Sequence, residues 1–189
     1  LDVMSRYENF SPAELTAMRL DGVLFAVHGA FVLPDEPDVI ATRIRIARET
    51  APPQYILDRL SAAWVWGATP LPTEVPQFCQ DMAHRGTDRY NAYRSQRYVR
   101  LTPGEIVRTA AGTVLSPWRT TLHLLRWTPE VMAETIQCLL QLERLTVDCA
   151  VERIESTITR GHQNQFIRPL LALCGPGAAV RAERSTVTE

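Results

Sequence analysis

Apolar positions along the chain recur with two periods, and each change of period marks a change of element. Ser11-Pro12-Ala13-Glu14 combines an N-cap serine, a proline at the first helical position and a capping-box glutamate. Leu15 and Met18 follow at helical spacing, so a helix is predicted from about Pro12 to Leu20, stopped by Gly22. Val23 to Val27 and Ala30 to Leu33 are apolar β runs joined at His28-Gly29, a tight-hairpin signal. They predict a two-stranded ribbon packed on that helix. The turn cluster Pro34 to Asp38 is the best internal boundary. Val39, Ile40, Ile44 and Ala47 then repeat at helical spacing up to Pro52-Pro53. Asp58 can cap a further helix carrying Leu60, Ala63 and Trp64 and closed by Gly67.

Beyond the proline-rich stretch Thr69 to Pro76 the period shortens. Val75 to Gln80, Arg97 to Leu101, Glu105 to Thr109 and Thr113 to Leu115 read as short strands separated by Pro103-Gly104 and Ala111-Gly112. Helical spacing then returns. Ser116-Pro117 opens a helix with Trp118, Leu122 and Leu125 on one face, and Thr128-Pro129 opens the next, with Met132, Ile136, Leu139 and Leu140 inward. Val147, Ala150, Val151, Ile154 and Ile158 make a third stripe ended by Gly161. Phe166, Ile167, Leu170 and Leu171 imply a last helix despite Pro169. The expected fold is α+β: a small, mostly antiparallel sheet with packed helices, preceded by a helix and β-ribbon. The expected division is a ribbon element at 1–34, a main domain at 35–174 and a frayed tail at 175–189.

With 189 residues and 46% hydrophobic content, the composition is that of a globular domain. No apolar run reaches the roughly 18 residues of a membrane span, and the start shows no signal-peptide core. A cytoplasmic protein without membrane contact is expected. The four cysteines are scattered and form no Cys-x-x-Cys pair, so reduced, buried thiols and no metal are expected. Net charge is −1, so nucleic-acid binding would need a local basic patch. All 20 basic residues are arginine. Without lysine, a Walker phosphate loop, a Schiff-base lysine and a kinase-type ATP lysine are excluded.

Two basic segments stand out. Arg85, Arg89, Arg94, Arg97 and Arg100 alternate with Tyr90, Tyr93 and Tyr98 against the single acid Asp88. Guanidinium groups suit phosphate and tyrosines suit base stacking; the alternative is an edge strand carrying solvated charge. Arg119, His123 and Arg126 fall at i, i+4 and i+7 on one helical face. They can hold a phosphate or pair with acids such as Glu105 or Glu134. Asp148, Glu152 and Glu155, with Arg144 and Arg153 nearby, read as a solvated salt-bridged face. Neither the histidines nor Ser61, Ser95 and Ser116 sit in a known catalytic or ligand motif, so no enzyme is expected.

Three motifs carry a resemblance. Asp21 to Pro34 looks like a glycine-punctuated wing ending in an aromatic and a proline. Leu60-Ser61-Ala62-Ala63-Trp64-Val65-Trp66-Gly67 is similar to a Ser-Ala-Ala helix ending in Trp-Gly, and Gly112-Thr113-Val114-Leu115-Ser116-Pro117-Trp118-Arg119-Thr120 to a strand, Ser/Thr-Pro-x-Arg-Thr turn and helix. Over about residues 11–174 the chain resembles the AbiEi-type antitoxin-like family of bacterial type IV toxin–antitoxin systems. That resemblance implies a winged helix, here shortened to one helix before the ribbon, and an α+β domain tied to antitoxin activity. It places His123 where relatives often have an acid; some relatives append a nuclease-like domain, and the chain stops before one, so no hydrolysis is expected. The expected function is an AbiEi-like antitoxin or transcriptional regulator, non-enzymatic and without cofactor, with DNA and a cognate toxin as partners. The expected nucleic-acid-binding residues are Arg85, Arg89, Arg94, Arg97, Arg100, Arg119 and Arg126. The alternative is a protein-interaction module whose DNA-binding arm has been lost.

Overall fold

The side chain of Ser11 accepts a hydrogen bond from the Glu14 N–H, and the Glu14 carboxylate accepts one from the Ser11 N–H. The capping box thus closes the first turn of α1 (Pro12–Leu20) as its sequence requires. The structure, a computed structural model, describes residues 9–27, 30–35, 39–48, 51, 54–84, 97–128 and 131–175. Gly22, at φ 73°, turns the chain out of α1 in a conformation that costs a glycine little. β1 (Phe25–Val27) and β2 (Ala30–Val32) then pair antiparallel, with Phe25 opposite Val32. The turn residues His28 and Gly29 lie outside the described residues.

The ribbon is formed as expected, but its packing is different. α1 contributes no buried side chain. Val32, with Val27 beside it, joins instead the core built from Ile44, Ile46 and Ala47 of α2 (Ile40–Arg48). Leu15 and Met18 of α1 are only half-buried, whereas Ile44, Ile46 and Ala47 of α2 are buried against the sheet.

Next come β3 (Ile56–Leu57) and α3 (Arg59–Val65), then β4 (Phe78–Asp81), β5 (Arg97–Val99), β6 (Ile106–Thr109) and β7 (Gly112–Leu115). They form one five-stranded sheet in the order β5-β4-β3-β7-β6. Leu57, Phe78 and Val114 face one side, where α2 and α3 cover them; Ile56, Cys79 and Leu115 face the other, beside Val99, Leu101 and Trp127. This is the two-residue period of extended chain. The fold is α+β, and the sheet is mixed where a mostly antiparallel one was expected. β3 pairs parallel with β7 and β4 with β5, while β3–β4 and β6–β7 are antiparallel. Turn signals reveal hairpins such as Ala111-Gly112, but not pairings between strands far apart in sequence. The central strand β3 was not expected at all, because two residues before a capping aspartate are too few to show a period.

Four helices follow: α4 (Pro117–Trp127), α5 (Ala133–Leu142), α6 (Val147–Thr157) and α7 (Arg160–Cys174). Trp118, Leu122 and Leu125 are buried as expected, in a core with Ile136, Leu139, Ile154, Phe166 and Leu170. Two boundaries differ from expectation. α5 starts after Met132, which is exposed, and not at Thr128-Pro129; Gly161 lies in the first turn of α7 and does not end a helix. Trp66 packs against both this helical core and the sheet core and donates its Nε1–H to the Leu115 carbonyl at 2.8 Å. Gly175 is described; the rest of the expected tail, 176–189, lies outside the described residues. No helix among the described residues is long and apolar enough to cross a membrane.

Candidate functional site

Asp58 ends β3 and caps α3, and the cap fixes where its carboxylate points. Oδ1 accepts from the Arg59 N–H at 2.6 Å, and the side chain is fully buried. Arg59, the first residue of α3, is itself buried and holds φ 47°, a left-handed backbone unusual for a bulky side chain. Such strain is commonest where a site is being shaped. His123, on α4 and only 2% exposed, brings Nδ1 to 2.6 Å from Asp58 Oδ1. One turn earlier Arg119 donates from Nε to His123 Nε2 at 2.9 Å.

These contacts decide the tautomer. Arginine only donates, so Nε2 of His123 accepts, and Nδ1 carries the proton it gives to Asp58. The same Arg119 guanidinium reaches Glu105 Oε1 at 2.8 Å and the Arg100 carbonyl at 3.2 Å. Glu105 is held in turn, because its Oε2 accepts from the Thr102 N–H at 2.8 Å. A polar chain therefore runs from the buried Asp58 through His123 and Arg119 to Glu105 at the surface.

At the end of α4, Trp127 gathers further cations. The Arg97 guanidinium lies 4.6 Å and that of Arg126 4.9 Å from the ring centroid, and His123 meets the ring edge-on at 4.6 Å. Burial, and then the like charge of Arg59, lower the pKa of Arg97. Beside this cluster a cleft of about 450 Å³ opens between α4 and the junction of α6 with α7. Arg100, Arg119, Arg126, His123 and His162 line it with Leu122, Trp127 and Phe166, and no aspartate or glutamate is among its lining residues. A second hollow of about 410 Å³ shares Arg119 and Leu122 and adds Glu105 and Arg153. Arg153 lies over Trp118 at 4.5 Å and pairs with Glu143 at 3.4 Å.

Of the expected nucleic-acid-binding residues, Arg97, Arg100, Arg119 and Arg126 come together around Trp127 and this cleft. Arg97 and Arg100 of the tyrosine-rich strip and the helical stripe, separate in sequence, meet here. Arg85, Arg89 and Arg94, with Tyr90 and Tyr93, lie outside the described residues. Of the two alternatives for Arg119, pairing with Glu105 is formed. His123 faces the buried aspartate and is not a solvated member of a basic stripe, because α4 turns it toward the α3 cap. Sequence reasoning missed three residues. Asp58 was read as a cap alone, and Trp127 and His162 carried no signal, since their partners are distant in the chain.

The cysteines correct a further expectation. Cys79 alone is buried, and burial pushes its thiol well above the usual range; Cys149 is exposed, and all four are free. Among the described residues no three His, Cys, Asp or Glu side chains gather as a metal-ligand set. No protein-family model matches the chain, and no curated protein matches it. The AbiEi-like resemblance thus stands on its sequence motifs.

Proposed function

We propose that the protein is a non-enzymatic, AbiEi-like antitoxin or transcriptional regulator that binds DNA through the cleft beside α4. The observation that carries this reading is the convergence of Arg100, Arg119 and Arg126 at a cleft whose lining has no carboxylate, with Arg97 beside it on the Trp127 ring. Guanidinium groups so arranged match phosphate oxygens in charge and geometry. With a chain net charge of −1, the attraction for phosphate is that of a local patch and not of the whole molecule. The His123–Asp58 pair supports the non-enzymatic part. Both ring nitrogens are engaged within the protein, so the imidazole has no lone pair to offer a ligand.

The test uses fluorescence anisotropy with a labelled DNA duplex at several salt concentrations. The parent should bind with an affinity that falls steeply with salt, by about 0.9 log units per log unit for each phosphate contact. Arg100 and Arg126 are exposed, so R100A/R126A should keep the melting temperature and flatten that slope by up to about 2. Absence of parent binding at low salt rejects the DNA role, and an unchanged slope in the double variant removes it from this cleft.

One observation favours the alternative, a protein-interaction module. An apolar trough of about 350 Å³ lies between the ribbon, α2 and the Pro70–Pro72 loop, with Phe25 and Leu71 exposed along it by 55% and 76%. Exposed apolar surface of this kind marks contact sites. If a cognate toxin docks here, F25S/L71S abolishes co-sedimentation with that toxin and leaves DNA affinity unchanged; co-sedimentation that survives the change rejects this reading.

A further inference from the structure

We infer that His123 is a positioning residue, which sets the aim of Arg119 into the cleft without touching the ligand. The inference rests on the anion-binding reading above and deepens it. A guanidinium has five N–H donors in one plane. In Arg119, one goes to His123 Nε2, one to Glu105 Oε1 and one to the Arg100 carbonyl. Three anchors around a planar group fix its orientation, and the two donors left over are available to an oxyanion in the cleft that Arg119 lines.

The His123 anchor is the one that depends on a buried device. Its acceptor nitrogen exists only while the ring proton sits on Nδ1, and Asp58, fully buried and tied to the Arg59 N–H, keeps it there. Trp127 closes the ring edge-on, so the imidazole cannot flip without displacing it. Asp58 acts on Arg119 at one remove, as a carboxylate that fixes a histidine tautomer does in a metal or catalytic site. No proton moves and no bond forms in this scheme.

Two substitutions separate positioning from bulk stability. In H123Q the side-chain carbonyl reaches roughly where Nε2 stood and still accepts from Arg119, while the hydrogen bond to Asp58 is lost. In H123N the short amide still donates to Asp58, and the acceptor for Arg119 is lost. Both variants weaken packing against Trp127, so melting temperature falls in both. DNA affinity separates them. H123Q should keep the parent's salt slope, and H123N should flatten it by about 0.9, the loss of one phosphate contact. Equal slopes in the two variants overturn the inference. Nitrogen-15 NMR of the parent's imidazole decides the matter apart from DNA: Nδ1 protonated with Nε2 unprotonated is expected, and the opposite tautomer overturns the inference. A parent that shows the expected tautomer yet binds no DNA removes the cleft's proposed ligand, and with it the positioning role.

Discussion

Removing the Asp58 carboxylate leaves two buried donors, the Arg59 N–H and His123 Nδ1–H, without an acceptor. Each such loss costs about 1–3 kcal/mol, so D58A should lose roughly 2–6 kcal/mol in urea unfolding. D58N retains the volume and an acceptor oxygen and should lose less; equal losses would mean that the carboxylate's charge, and not these two hydrogen bonds, supplies the stabilisation. The thiols give a second prediction at this scale. Burial, with the nearby Asp58 charge, holds Cys79 as a protonated thiol, and Cys149 lies at the surface. At pH 8 in native buffer an alkylating reagent should modify Cys149 readily and Cys79 only after denaturant is added. Rapid native labelling of Cys79, read by mass spectrometry, would contradict its placement. Cys79 sits on β4 next to Phe78, and successive residues of a strand point to opposite faces. That both are buried follows from a sheet covered on both faces.

At the scale of elements, caps and turns were the most legible features. Ser116 accepts from the Arg119 N–H at 3.3 Å and opens α4 with Pro117, as its sequence required. S116A should cost about 1 kcal/mol, and because α4 carries Arg119 and His123, the loss is felt at the site's own helix. Gly112 turns β6 into β7 at φ 141°, and a Cβ there would press on the Arg48 side chain. G112A should therefore cost about 1–3 kcal/mol; a variant as stable as the parent in thermal melting would show that the turn relaxes freely. What could not be read was the element without a period of its own. β3 has two residues and no local hydrogen-bond signature, yet it is the strand on which β4 and β7 both pair. The start of α5 and the end of α6 were misplaced for a related reason. A Thr-Pro pair and a glycine are signals of permission, and tertiary packing chose other residues.

At the scale of the whole molecule, Trp66 touches both the sheet core and the helical core and ties its indole to β7. The two cores should then unfold together. Tryptophan fluorescence and far-ultraviolet circular dichroism are expected to give coincident thermal transitions, the usual test of two-state behaviour. Separate midpoints would show that Trp66 does not couple them. From the sequence alone came the periods, caps and turns, hence most helices and strands, the α+β class and the identity of the basic residues. These are local properties, set by side-chain spacing and backbone preference within a few residues. Only the tertiary structure decided that β3 is central, that two of the four pairings in the five-stranded sheet are parallel and that the ribbon leans on α2. It alone brought Arg97 and Arg100 to Arg119 and Arg126 and placed Asp58 against His123, 65 positions away. No local pattern encodes such pairs, because hydrogen bonds and charges select partners by distance in space, and that distance exists only once the core has closed.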